Sequence, residues 1–192
     1  MSNASFDVSS GRVPDETVET RINVVAGGPC SGKSTLLEEL ESRGHHVEYE
    51  PAEQILQAEI EQGRSAEEVR EDPIRWQKRV VQADFDLFSG LIDSGRVFTD
   101  TSPVESYVFS LQADLEIGGN LIQFLENVRF ENVFFLESLD QHQTTEVRLE
   151  DSDTAQTLAK EIYQNYRRFD YKPQKIPAVS VPERVERVLD AL

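Results

Sequence analysis

Eight consecutive residues, Gly27-Gly28-Pro29-Cys30-Ser31-Gly32-Lys33-Ser34, match G-x-x-x-x-G-K-[ST] without a break. The pattern restricts the fold strongly, because it works only between a strand and a helix. Its flanks agree. Ile22, Val24 and Val25 form an apolar run just before it, and Ser34-Thr35-Leu36-Leu37-Glu38-Glu39-Leu40 reads as a helix start just after it. The glycines let the backbone wrap tightly, so amides along 27–35 converge on one anion-binding concavity. Lys33 reaches the β- and γ-phosphates of a nucleotide, and Ser34 offers its hydroxyl to Mg2+. The plain alternative is a glycine-rich turn of no chemical consequence. The fit to a strand before and a helix after argues against it.

Strand and helix patterns alternate along the rest of the chain. Strands are expected at 21–26, 46–50, 96–100, 132–136 and 174–179. The first helix runs over 33–43 and ends at Gly44. Pro51 opens a polar helical stretch to residue 62, and Ser65-Ala66-Glu67-Glu68 opens another. Asp72-Pro73 starts a long helix with Trp76, Val80, Leu87, Phe88 and Leu91 at helical spacing. Ser102-Pro103-Val104-Glu105 is a capping box, and Gly118-Gly119 separates that helix from one running to about Arg129. Ala155, Leu158, Ile162, Tyr163 and Tyr166 mark an amphipathic helix, and a terminal helix follows Ser180 with Val185, Val188 and Leu189 inward. The order predicts an α/β fold: a three-layer P-loop NTPase with a mostly parallel five-stranded sheet. Residues 138–153 are polar and without periodicity, and read as a mobile lid loop. Residues 1–20 read as a flexible or loosely docked leader, and 21–192 as one domain.

Composition narrows the partners. The net charge is −17, from 36 acidic and 19 basic residues. Such a surface repels phosphate backbones, so nucleic acid is not an expected partner. No apolar run approaches the ~20 residues of a membrane span. The single cysteine rules out an internal disulfide and suits a reducing, cytoplasmic setting. Cys30 itself is either a small residue at a permissive loop position or a thiol activated beside a helix N-terminus. His45, His46 and His142 lack metal-ligand spacing, so no zinc site is expected. Nothing in the sequence sets the oligomeric state.

Ligands of open α/β sheets bind at the carboxyl ends of the strands, which singles out three acids. Asp100 ends Val97-Phe98-Thr99-Asp100, a pattern suited to a Mg2+-organising aspartate; capping the next helix is its structural role. Glu50 ends the second strand before Pro51 and can take the proton of an attacking hydroxyl, or be a solvated acid before a turn. Glu137 has weaker support. Arg148 is the basic residue of the 138–153 stretch and can deliver positive charge to a transferring phosphoryl group, or pair with Glu150 or Asp151. Arg167 and Arg168 fit the outer face of their helix. Trp76 fits the core, while Gln77 either contacts an acceptor ring or is an ordinary surface amide.

Several of these pieces together resemble the AAA-domain-like small P-loop ATPases, a group that includes the ribosylnicotinamide kinase domain of bacterial NAD-biosynthesis regulators. The similarity covers about residues 21–192. It rests on the phosphate loop, Glu50-Pro51-Ala52-Glu53, Asp72-Pro73 with Gln77, Asp100 with Ser102-Pro103, Val147-Arg148-Leu149-Glu150-Asp151, Tyr166-Arg167-Arg168-Phe169-Asp170-Tyr171 and Val181-Pro182-Glu183-Arg184-Val185. More distantly the chain is similar to deoxynucleoside kinases, which carry Glu-Pro after the second strand and tryptophan-glutamine on the following long helix. In both groups the residue after the third-strand acid is commonly arginine; here it is Thr101. The resemblance implies an ATP- and Mg2+-dependent phosphotransferase acting on a small hydroxyl-bearing, nucleoside-like acceptor. The other reading is a nucleotide-binding switch with slow ATP or GTP hydrolysis and no acceptor, which Thr101 favours.

Overall fold

The computed structural model of the chain describes residues 5–138 and 146–192, and residues 146–153 by their backbone alone. In chain order the first elements are β1 (Val18–Glu19), β2 (Ile22–Gly27), α1 (Lys33–Ser42), β3 (Val47–Glu48), α2 (Pro51–Glu61), α3 (Ala66–Arg70) and α4 (Pro73–Leu91). After them come β4 (Val97–Thr99), α5 (Pro103–Gln112), α6 (Gly119–Asn127), β5 (Val128–Arg129), β6 (Asn132–Leu136), α7 (Glu146–Arg168), β7 (Gln174–Ile176) and α8 (Val181–Leu189). Two compact units are woven from separate parts of the sequence. A sheet unit takes Arg21–Glu48, Gly95–Thr101 and Phe130–Leu192, and a helical unit takes the residues up to Thr20, Tyr49–Ser94 and Ser102–Arg129.

In the sheet unit, five parallel strands run in the order β3-β4-β2-β6-β7. Every residue of the central β2 is buried, which explains its nearly continuous apolar reading. Asn23 is the exception in chemistry, and its hydrogen bonds are met. Its amide donates to Arg21 O at 3.1 Å and Glu131 Oε2 at 3.0 Å, and its oxygen accepts from Asn132 Nδ2 at 2.8 Å. Leu36, Leu37 and Leu40 on α1, Ile162 and Tyr166 on α7, and Val185 and Val188 on α8 complete the core. Because all five strands are parallel, their carboxyl ends share one edge. There β2 finishes at Gly27, opposite Leu136 of β6.

Strand limits are tighter than periodicity suggests. The expected 46–50 strand is Val47–Glu48, and the expected 174–179 strand stops at Ile176. Pro177 supplies no N–H to continue that ladder. A larger correction concerns the expected 138–153 lid loop. Residues 139–145 lie outside the described residues, but α7 already begins at Glu146. The sequence holds no glycine or proline from Ser138 to Lys172. Lack of an apolar stripe does not by itself exclude a helix.

In the helical unit, α4, α5 and α6 bury Val81, Phe85, Phe88, Val104, Val108, Leu121 and Phe124. The Phe85 and Phe124 rings meet edge to face at 5.3 Å. The caps expected from sequence are present. Ser65 and Glu68 close their capping box at 3.1 and 2.7 Å, and Asp72 Oδ1 accepts from Arg75 N at 3.0 Å. Residues 5–20 form a strap held by hydrogen bonds. Phe6 N donates to Glu116 O at 2.8 Å, and Phe6 O accepts from Gly118 N at 2.7 Å. The Gln82 amide accepts from Ser9 N at 2.9 Å and donates to Ser9 O at 2.6 Å. Pro14 O accepts from Gln123 at 3.0 Å and Asn127 at 2.8 Å. The strap ends in β1, which pairs in parallel with β5. It docks through backbone hydrogen bonds, so its low apolar content gave no sign of it.

Candidate functional site

The loop between β2 and α1 has the curvature its composition predicts. Cys30 (φ 57) and Gly32 (φ 88) lie in the left-handed region on either side of Ser31. Such alternation folds successive amides toward one concavity. Gly32 is also the N-cap of α1, which has no side-chain cap and no acidic residue in its first turn. The amides of Lys33, Ser34 and Thr35 therefore carry the positive helix pole without a competing carboxylate, in a chain of net charge −17. Ser34 and Thr35 are exposed, as are Pro29 and Cys30. The Lys33 ammonium donates to Gly27 O at 3.0 Å and Gly28 O at 3.3 Å. Gly28 is required by close approach: a Cβ there would lie 2.8 Å from Ala159 Cβ on α7.

Beneath the loop lies Arg184 of α8, 1% exposed. Its Nε donates to Pro177 O at 2.9 Å, its Nη2 to Glu137 O at 2.8 Å, and its Nη1 to Ser31 O. Burial pushes the guanidinium below its ordinary value, and the Glu137 charge opposes that shift. From sequence Arg184 stands out only as part of Val181-Pro182-Glu183-Arg184-Val185. Its signal was a cation on the inward helical face that also carries Val185 and Val188.

Asp100 follows β4 directly, on the strand beside β2, and is 5% exposed. Thr99 Oγ1 donates to Thr101 O at 2.9 Å and closes the turn around it. Thr101 is itself buried, at 5% exposure. The phosphate loop and Asp100 thus share the sheet unit. The Ser34 hydroxyl and the Asp100 carboxylate are both hard oxygen donors, the chemistry that suits Mg2+.

Other expected residues fall elsewhere. Glu50 is not a strand end: β3 stops at Glu48, and Glu50 is the N-cap residue of α2, in the helical unit. Gln77 of α4 is not a surface amide; it is 6% exposed and its Nε2 donates to Ser106 O at 3.1 Å and Ser110 Oγ at 3.3 Å on α5. Ser106 Oγ in turn donates to Asp84, another buried residue of α4. This polar seam was missed because its members lie far apart in sequence. Trp76, expected in the core, is half-buried with the Arg70 guanidinium 5.5 Å from its ring. Arg148 falls in α7, with its side chain outside the described residues. Arg167 and Arg168 are exposed, on an outer face as expected.

A parallel sheet with a phosphate loop at its carboxyl edge and an acid after the neighbouring strand defines a kinase-like P-loop NTPase fold. The chain belongs to the AAA domain family, which matches residues 23–184. No curated protein matches the sequence. Among solved structures it is similar to deoxyadenosine kinase from M. mycoides with bound dATP, at 17% identity and a TM-score of 0.59, over 88% of this chain and 98% of that one. It is also similar to the NadR protein in complex with NR, at 15% identity and a TM-score of 0.59, over 90% of this chain and 50% of that one. At these identities the likeness speaks for the fold alone. Among the described residues, no helix is long and apolar enough to cross a membrane.

Proposed function

We propose that the chain is an ATP- and Mg2+-dependent phosphotransferase acting on a small hydroxyl-bearing, nucleoside-like metabolite. The observation that carries this reading is the uncapped, acid-free start of α1 beside Lys33, with buried Asp100 after the neighbouring strand of the same unit. The kinase-like fold supports it.

In this reading the amides of the 27–35 loop and the Lys33 ammonium hold the phosphates. Ser34 and Asp100 hold Mg2+, which neutralises phosphate charge when bound. The acceptor oxygen forms a bond to the γ-phosphorus as the bond to the β-γ bridging oxygen breaks, and ADP leaves. The acceptor proton passes to the Glu50 carboxylate. Arg148 supplies a closing cation. Gln77, its amide nitrogen engaged by α5, brings an acceptor only its carbonyl oxygen, which takes an N–H or O–H. Catalysis is then mostly positioning and charge neutralisation.

Thr101 favours a second reading, a switch that hydrolyses nucleotide slowly without an acceptor, because the residue after Asp100 is threonine and not arginine. Nucleosides and sugars incubated with labelled ATP separate the two. Acceptor-dependent ADP release is expected, and acceptor-independent turnover overturns the transferase reading. With an acceptor in hand, Glu50→Gln is expected to lower kcat by about 10²- to 10⁴-fold with little change in ATP affinity. Full transfer activity in that variant removes Glu50 as the base.

A further inference from the structure

We propose that Arg184 is the positioning residue of the phosphate loop: it fixes the orientation of the Ser31–Gly32 peptide and ties nucleotide occupancy to α8. This rests on the reading of the loop as a nucleotide site.

Arg184 is the largest fully buried side chain of the described residues. Its partners are three backbone carbonyls from three chain segments: Ser31 in the loop, Glu137 after β6 and Pro177 after β7. No salt bridge to a carboxylate accompanies it among the described residues. Packing alone does not call for such a group, since an apolar side chain of similar volume fills a core without the cost of burying a charge. Spanning three carbonyls at once does call for it. Only the planar guanidinium offers donors in a fixed fork; a lysine ammonium is a compact point charge.

The geometry of the peptide gives the fork its consequence. In a planar trans peptide the carbonyl and the amide hydrogen point in opposite directions. The Ser31 carbonyl and the Gly32 N–H belong to one peptide. Holding Ser31 O down on Arg184 therefore turns the Gly32 N–H away from α8. Gly32 is the left-handed N-cap residue of α1, so its amide leads directly into those of Lys33 and Ser34. Lys33 acts in the same way at Gly27 O, which turns the Gly28 N–H away from the ammonium. Two cations thus hold three loop carbonyls, Lys33 those of Gly27 and Gly28 from within the loop and Arg184 that of Ser31 from beneath it. Arg184 also places a positive charge under the phosphate site of an acidic chain. Val185 and Val188 beside it are 0% exposed, and α8 packs on α1, so loop and helix share one support. A ligand that tightens one then tightens the other, because coupling is reciprocal.

Arg184→Met and Arg184→Lys test this in the full chain, with ATP and inorganic pyrophosphate as probes in calorimetric titrations well below the melting temperature. The expected result is a loss of affinity of about 10- to 100-fold for both probes in the methionine variant, with partial recovery in the lysine variant. Variants that melt lower yet bind both probes as the wild type does assign Arg184 a purely structural role and overturn the proposal. Wild-type protein that binds neither probe removes the nucleotide reading itself, and this inference with it. If the variants do not fold, hydrogen exchange in the wild type decides. ATP is expected to slow exchange at the Gly32 amide and at Val185 and Val188 together, by about tenfold. Slowing confined to the loop overturns the proposal.

Discussion

Gly28 is buried against α7 with no room for a methyl group, the added Cβ falling 2.8 Å from Ala159 Cβ and 3.3 Å from Ala155 O. Gly28→Ala is therefore expected to cost about 1–3 kcal/mol by overpacking. Ala159→Gly alone costs about 1 kcal/mol of helix propensity, yet in the Gly28→Ala background it is expected to restore stability. Denaturant unfolding of both single variants and the double variant checks this, and strict additivity refutes the contact. Single residues also show where the sequence is legible. The phosphate-loop pattern occupies eight adjacent positions, so spacing alone makes the pattern legible. Gln77 does not: its partners Ser106 and Ser110 lie 29 and 33 residues away. Nothing local to Trp76-Gln77 tells a recognition amide from a strut between helices. Arg184 was similarly opaque, because its three partners are main-chain carbonyls that any residue supplies.

Elements were legible where they bury a face or carry a cap. The fourth strand, 132–136, emerges as Asn132–Leu136, and the Asp72-Pro73 and Ser65 helix starts are present as caps. The start of α7 was not legible, because residues 146–153 carry no apolar period of the kind that marks an amphipathic helix. Two-residue β1 and β5 are too short to show any period. The strap before β1 hides for another reason: its hold is a set of backbone bonds to Gln82, Gln123, Asn127 and residues 116–118. Gln82→Ala is expected to lose the paired bonds to Ser9, about 1–3 kcal/mol in total. Cleavage by trypsin after Arg12 should then speed up relative to the wild type. An unchanged rate of cleavage means the strap is held without Gln82.

Over the molecule as a whole, acid response is set by carboxylates held in ion pairs. In the sheet unit, Arg96 and then Asn23 hold the Glu131 carboxyl below the ordinary glutamate value of 4.5. In the helical unit, Arg79 and then Arg64 do the same for Glu59. A depressed folded value means stability present above the unfolded value and lost as pH falls through the folded one. The melting temperature is expected to hold from neutral pH to near 4.5 and to fall below it. Glu131→Gln is expected to melt lower at neutral pH and to show a shallower fall in acid. A variant that follows the wild-type curve throughout contradicts the role of Glu131. The pairing of β1 with β5 has a different kind of consequence, for the order of events during synthesis. Thr20 bonds Arg129, 109 residues further on, through both its amide and its hydroxyl. During synthesis the 5–20 strap is made well before β5 and waits for that strand before it has a place to dock. Closure over so long a span is slow, and until then the partner surfaces of that segment on α4 and α6 stand open to water and to other chains.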